Sequence, residues 1–365
     1  MRGTMKAARR PAAHRSDVRL MVVSGLDDIT HHRPENLPEL LCPGDLLVLN
    51  DVATLPASLS GRVLGGLPLE VRLTEPPVHG EAWVVLFGEG SWRTDTDERG
   101  PPPILALGDR LVLGDLSAVV AEVDRESPRL VRLRFDARGD VLWSGLYAHG
   151  RPIQYRHLEA EPDLWSFQTV FGGPPWAVEM PSAGRPLTWD TLEALRRRGV
   201  RIATVSHAAG LSATGDAQLD ARLPLPERTW VPEATVQAIE QTRAAGGRVV
   251  ATGTTVVRAL EGRVAAWGHL VAGETITTLR IDPTMQLQVV DAILTGMHAR
   301  HESHYALLGA FVGSEVLERA WWDAVDADYH SHEFGDLALI WAERASGPYV
   351  RQRRPPCEIE HQASI

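Results

Sequence analysis

A helix–glycine–strand unit occurs twice in this chain, and the repeat leaves few ways to pack. Glu233 to Ala245 follows a helical pattern that stops at Gly246-Gly247, and Arg248 to Ala251 follows as a short apolar strand. Thr252 to Thr255 then opens a second helix carrying Val256, Val257 and Leu260. The earlier copy runs from the helix Trp189 to Arg198, capped near Thr188 or Asp190, through Gly199 to the buried strand Val200 to Val205, which ends at Ser206-His207. Two such units predict neighbouring parallel strands in an α/β sheet. Ligands of such sheets sit beyond the C-terminal ends of the strands, so His207 and Gly253-Thr254-Thr255 are expected to line one edge. Glycine lets a ligand approach the backbone, the threonine hydroxyls can cap the helix or donate outward, and the free N–H groups of a helix start suit an anion. Arg258 lies one turn in and adds a fixed positive charge.

The rest of the chain divides by pattern. Residues 17–72 hold short strand patterns at Val18 to Val23, Asp45 to Leu49 and Leu67 to Leu73. Between 73 and 148 the β patterns shorten and crowd: Ala82 to Phe87, Arg110 to Leu113, Ala118 to Val123 and Leu130 to Phe135 are separated by Gly, Pro and Asp. Turn signals at that spacing predict a small antiparallel barrel. Gln286 to Leu294 and Leu337 to Ala342 supply further buried strands. The expected organisation is a larger α/β domain (17–72 and 149–345) with an inserted antiparallel β-barrel domain (73–148). A mobile basic N-terminus (1–16) precedes it and a tail (346–365) follows.

Composition narrows the function classes. Hydrophobic residues make up 44% of 365, enough for a substantial core. The two cysteines, Cys42 and Cys357, show neither metal spacing nor a disulfide framework, which fits a reduced cytosol. No apolar run approaches the ~20 residues that span a bilayer, and the basic start lacks the apolar stretch of a signal peptide. A cytoplasmic protein without membrane partners is expected. The net charge of −10 argues mildly against broad nucleic-acid binding, although a basic face can sit on an acidic protein. Arg9-Arg10, Arg196-Arg197-Arg198 and Arg351 to Arg354 are the candidate basic runs.

Gly253 to Glu261, reading GTTVVRALE, resembles the GTTSVRTLE-type motif of S-adenosylmethionine:tRNA ribosyltransferase-isomerases, which work late in queuosine synthesis. Further blocks recur in the family's order. They are Leu47-Val48-Leu49-Asn50-Asp51 with Pro56 to Arg62, Gln168-Thr169-Val170-Phe171, Pro181-Ser182-Ala183-Gly184, Val289-Val290-Asp291 with Thr295 and His298, and Tyr329 with Phe334-Gly335-Asp336 and Leu339-Ile340. The resemblance spans about Arg15 to Ile340 and implies a β-barrel inserted into an α/β domain. It also implies S-adenosylmethionine as a ribosyl donor. The sulfonium acidifies C5′, a base removes a proton there, adenine is expelled, and the amine of a modified tRNA base attacks the sugar. Methionine leaves as an epoxide-bearing cyclopentanediol forms. That chemistry needs no metal and no cofactor beyond S-adenosylmethionine as substrate. It needs a base within reach of C5′ and a proton for departing adenine. His298, His207 and Glu227 are the catalytic candidates. Gly253, Thr254, Thr255, Arg258, Asp291, Gly335, Asp336, Gln168, Thr169 and Gly184 are the candidate substrate-binding residues.

Several blocks depart from the family pattern. PTAGLHFT reads Pro181 to Thr188 without its histidine, and of H-x-MH-x-E only Glu227 remains. HVGLGTF is altered after His207, TNFHLP becomes Thr295-Gly296-Met297-His298-Ala299-Arg300, and the serine of SYGD becomes Glu333. These changes keep open, beside tRNA, a small-molecule acceptor, cleavage of S-adenosylmethionine without an acceptor, or a non-catalytic nucleoside-binding protein. His298, His301 and His304 recur every third residue with Glu302 between, and His330, His332 and Glu333 follow further on, but this is no zinc signature. A polar histidine-rich rim is expected, with no metal.

Overall fold

The computed structural model describes residues 3–300 and 302–343. Among these, nine strands form one mixed sheet. Its order is Gly273–Thr277, Glu227–Val231, Arg201–His207, Leu46–Asn50, Val249–Thr252, Ala292–Gly296, Leu337–Trp341, Leu20–Gly25 and Asp28–His32. The four strands from Arg201–His207 to Ala292–Gly296 are parallel; antiparallel pairings finish the sheet on the Glu227–Val231 side, and on the other side Leu337–Trp341 joins antiparallel, pairs in parallel with Leu20–Gly25, and Asp28–His32 closes antiparallel. Such a sheet is buried on both faces, so its inner strands read as continuous apolar runs; Leu46–Asn50 and Val249–Thr252 are buried at every position. The helices Glu233–Ala244 and Thr254–Trp267 pack on one face, with Val236, Ile239, Val256, Val257 and Leu260 in a core shared with Val48, Val205 and Ala251. Leu187, Leu192 and Leu195 cover the other face against Leu47, Leu49, Val250 and Leu294.

The two repeated units are not neighbours as expected. Leu46–Asn50, from near the start of the chain, lies between Arg201–His207 and Val249–Thr252 and pairs in parallel with both. Their C-terminal ends still open on the same edge. The capping expectation also changes. Gly253 itself is the cap of Thr254–Trp267, at φ 88, and no side chain caps it. An L-residue with a Cβ resists that dihedral, which accounts for glycine at the turn.

The second body is a closed antiparallel barrel in the order Leu130–Phe135, Glu81–Phe87, Pro68–Leu73, Ser58–Val63, Arg110–Leu113, Leu116–Val123. Its strands include Ser58–Val63 and Pro68–Leu73, so barrel structure begins before residue 73. The pattern at Leu67 to Leu73 is a strand as read, but it hydrogen-bonds to Glu81–Phe87 and not to the α/β sheet. A six-strand closure leaves no exposed edge, and four strands from 73–148 would not have met that condition. Leu211, Leu219 and Val178 join the barrel's apolar interior and tie it to the loop after Arg201–His207.

The N-terminus is anchored over its described part. Lys6–Ala7 pairs in parallel with His330–Ser331, Arg9 O accepts from Glu159 N at 2.8 Å, and Ala8 is buried beside Phe167 and Phe334. Composition hid this because a two-residue pairing has no periodicity. The expected tail 346–365, Arg351 to Arg354, Cys357 and His301 lie outside the described residues. Among the described residues no helix is long and apolar enough to cross a membrane.

Candidate active site

The C-terminal ends of the parallel strands converge on Asn50. Its Nδ2 donates to His207 O at 3.0 Å and to Thr255 Oγ1 at 3.1 Å, and its Oδ1 accepts from His207 N at 2.9 Å. One amide therefore fixes the end of a strand to the first turn of the glycine-capped helix. Strand Ala292–Gly296 adds Gly253 N donating to Leu294 O at 2.7 Å. The turn Ser182–Gly184 closes over this junction: a Cβ on Gly253 would lie 3.7 Å from Ala183 Cβ.

Glu227, from the antiparallel neighbour strand, sits at the centre of the edge. Its Oε2 contacts His207 Nε2 at 2.8 Å and Arg258 Nη1 at 2.7 Å, while Oε1 accepts from Gly210 N at 2.9 Å. Burial alone would keep this carboxyl neutral. The charge of Arg258, then that of His207, with the hydrogen bonds from His207 and Gly210, outweighs burial and holds Glu227 at about 2. Burial in turn pushes His207 down, with Glu227 partly offsetting it. Three polar atoms around this junction are buried without a hydrogen-bond partner: His207 Nδ1, Thr252 Oγ1 and Thr169 Oγ1. Buried groups are rarely left so, and water or a bound ligand's own groups ordinarily satisfy them.

His298 follows the end of Ala292–Gly296. Its Nε2 lies 3.0 Å from Thr295 Oγ1 and its Nδ1 lies 3.3 Å from Glu302 Oε2. His304 stacks on it with ring centroids 5.0 Å apart. Burial, then the nearby charges of His298 and Arg258, lower His304 to about 3, so it is neutral near pH 7. The field of Glu227 also reaches His304, so the three catalytic candidates His298, His207 and Glu227 share one electrostatic environment.

The other expected residues divide. Gly253, Thr254, Thr255 and Arg258 line the edge as read. Thr169 and Gly184 lie beside it, with Thr169 Cγ2 3.4 Å from where a Gly184 Cβ would stand. Gln168 is saturated by backbone, accepting from Thr54 N and donating to Thr54 O, both at 2.9 Å. Asp336 accepts from Arg19 N at 2.6 Å, Arg19 Nη2 at 2.8 Å and His330 N at 2.8 Å, so it holds a turn. Gly335 is there for close packing, since a Cβ would fall 2.4 Å from His330 O. Asp291 is misplaced by the sequence reading. The strand begins at Ala292, and Asp291 Oδ2 accepts from Val249 N at 2.8 Å at the opposite, N-terminal end of the parallel strands. Reading the strand from Gln286 had moved this carboxylate towards the wrong edge. The Arg196-Arg197-Arg198 run ends the helix that feeds Arg201–His207, so it too lies at that opposite edge.

A family profile described as "Queuosine biosynthesis protein" matches residues 4–340. The chain belongs to the queuosine biosynthesis protein family. It is 34% identical over 335 residues to an S-adenosylmethionine:tRNA ribosyltransferase-isomerase of Synechococcus elongatus, covering 89% of this chain and 90% of the relative. It is 35% identical over 337 residues to the same-named protein of Gloeobacter violaceus, covering 91% and 92%. The solved S-adenosylmethionine tRNA ribosyltransferase of Thermotoga maritima is 28% identical, covers 92% of this chain and 96% of its own, and superposes with a TM-score of 0.49.

Against the family motifs, three contributors escaped the sequence reading. Asn50 was noted as a motif residue but not as the clamp between His207 and Thr255. Arg263 is buried; its Nη1 donates to Thr229 Oγ1 at 2.7 Å and its Nη2 to Gly273 O at 2.7 Å, bracing the Glu227 strand, and burial lowers it to about 10. Its place one helical turn after Ala259, on the face of Val256 and Leu260, was the available signal. Glu179 bonds the Tyr155 hydroxyl and accepts from Ser212 N at 2.9 Å, and burial raises its pKa. Nothing in the spacing of those three residues announces that contact.

Proposed function

We propose that this protein uses S-adenosylmethionine as a ribosyl donor and builds an epoxide-bearing cyclopentanediol on a modified tRNA base, releasing adenine and methionine. The observation that carries the reading is the Glu227 cluster at the strand ends, bordered by partnerless His207 Nδ1 and Thr252 Oγ1, in a chain aligned nearly end to end with relatives of that name. The tRNA in those names supports a tRNA acceptor over a small molecule.

The base is His298. Glu302 at Nδ1 fixes the tautomer, which leaves Nε2 as the proton acceptor beside Thr295. Glu227, held at about 2, is too weak a base for the C5′ proton. Its ion pair holds Arg258 in place near the helix start, where the substrate's carboxylate is drawn by the free N–H groups of Thr254 and Thr255. His207 Nδ1 hydrogen-bonds the bound nucleoside.

The test supplies precursor-loaded tRNA with S-adenosylmethionine, then digests the tRNA and weighs its nucleosides. Epoxyqueuosine formed with equal adenine is the expected result. Adenine and methionine released at the same rate without tRNA would overturn the tRNA acceptor, and no adenine under either condition would overturn the reaction.

A further inference from the structure

A second set of titratable side chains lies outside the residues assigned to the reaction. His157, His332 and Glu333 each present one donor atom, and the three atoms lie within 4.8 Å of one another. His157 Nε2 is 2.8 Å from Glu333 Oε2, and the two imidazoles stack with centroids 4.4 Å apart. His157 and Glu333 come from segments 176 residues apart. His332 holds a left-handed backbone at φ 69, unusual for a residue with a side chain. Such a conformation persists where its surroundings enforce it, and it clusters at binding sites. Gly335 N donating to His332 O at 2.9 Å fixes this turn. The carboxylate is one of this chain's departures, since Glu333 stands where the family motif has serine. The side chains of His157 and Glu333 are 15% and 20% exposed, which is open enough for an ion to enter and closed enough to hold it.

We infer that His157, His332 and Glu333 bind a divalent transition-metal ion of the zinc class. Two imidazoles and one carboxylate are a competent donor set that leaves a fourth position open. Metal–ligand bonds of about 2.0–2.2 Å put ligand atoms roughly 3.3 Å apart in a tetrahedron. The ion ties the 155–157 segment to the turn at 331–335, and the ribosyl-transfer chemistry does not pass through it. This inference shares no residue with the Glu227 cluster or with the His298–Glu302 pair, so its failure and the failure of the proposed reaction are separately visible.

The test strips the full-length protein with a chelator, removes the chelator, and titrates it with zinc by calorimetry and with cobalt by visible absorption. One equivalent of zinc, with tetrahedral cobalt bands, is expected. Glu333→Gln, which keeps the shape of the turn, and His157→Ala should each weaken binding by more than about 100-fold. His304→Ala, in the separate group formed by His298, Glu302 and His304, should bind as the parent does. Circular dichroism identifies any variant that fails to fold, and for such a variant Glu333→Ser replaces Glu333→Gln. No zinc uptake by the parent, unchanged affinity in the folded Glu333 and His157 variants, or a loss confined to His304→Ala would each overturn the assignment.

Discussion

The barrel and the sheet edge each bury a glutamate between two cationic or imidazole partners, and the two arrangements do different things. In the barrel, Glu70 Oε1 takes Arg72 Nε at 2.6 Å and Ser58 Oγ at 2.8 Å, and Oε2 takes Arg99. Both guanidinium groups lie over Phe87. At the sheet edge, Glu227 takes Arg258, His207 and Gly210 N. Burial opposes ionisation at both carboxyls and the flanking charges override it at both. What separates the two sites is their company. Both sites hold buried polar atoms without partners, Arg72 Nη1 and Arg99 Nε in the barrel and His207 Nδ1 at the edge, but the charged partners of Glu70 are guanidinium groups alone, whereas Glu227 is joined to the imidazole of His207. A buried ion pair is by itself weak evidence of function; neighbours that can move a proton make the difference.

The largest expected effect is on turnover at the edge. His298→Gln should slow adenine release by about 10²–10⁴-fold with little change in denaturation midpoint. A variant retaining more than a tenth of the parent rate would remove His298 as the base. The barrel glutamate should respond in the opposite way. Glu70→Gln leaves two buried guanidinium groups short of an anion and should cost about 3–5 kcal/mol in urea denaturation, while turnover per folded molecule holds. If turnover fell and stability did not, the contrast between the two clusters would be wrong.

Ligand binding should change by a smaller amount. Thr254→Pro, which deletes one of the two N–H groups of Thr254 and Thr255 at the first helical position, where proline is tolerated, is expected to weaken S-adenosylmethionine binding by roughly 1.5–3 kcal/mol in calorimetry, the range for a hydrogen bond to a charged group. Equal affinities would displace the substrate carboxylate from the helix start.

The pH profile separates the clusters more finely. Glu70 and Glu227 both have lowered pKa values, so the stability they supply is present above the ordinary carboxyl range and fades as pH falls through it. His304, held at about 3 against an ordinary 6.5, acts earlier. Below pH 6.5 the unfolded chain takes up a proton that the folded chain refuses, so stability declines from there towards 3. His207 shifts in the same direction. Loss of stability between pH 6.5 and 5 should therefore belong to the buried imidazoles His304, His207 and His332, none of them in the barrel, and His304→Asn should make that limb of the urea-midpoint curve shallower. An unchanged limb in that variant would assign it elsewhere.

What the sequence revealed follows from how local each signal is. Helix Glu233–Ala244, strand Val249–Thr252 and the glycine turn were legible because periodicity and stop residues lie within one short window. The edge shared by His207 and Thr255 was legible because strand ends in a parallel sheet converge. The insertion of Leu46–Asn50 between the two repeated units was not, because pairing with a strand some 150 residues away leaves no local trace. Asp291 was assigned to the wrong edge by the register of a strand start, where one end of a strand differs from the other only through its partners. The link from His157 to Glu333 depends on tertiary packing, so the sequence pattern reached His332 and Glu333 but not their partner His157, 176 residues from Glu333.

A crystal structure with S-adenosylmethionine bound tests the central claim most directly. The account predicts the methionine carboxylate at the N–H groups of Thr254 and Thr255, C5′ within hydrogen-bond reach of His298 Nε2, and a nucleoside group on His207 Nδ1. Density for the ligand in the barrel beside Glu70, or at the Asp291 end of the sheet, with the Gly253 turn unchanged and its polar atoms still without partners, would contradict it.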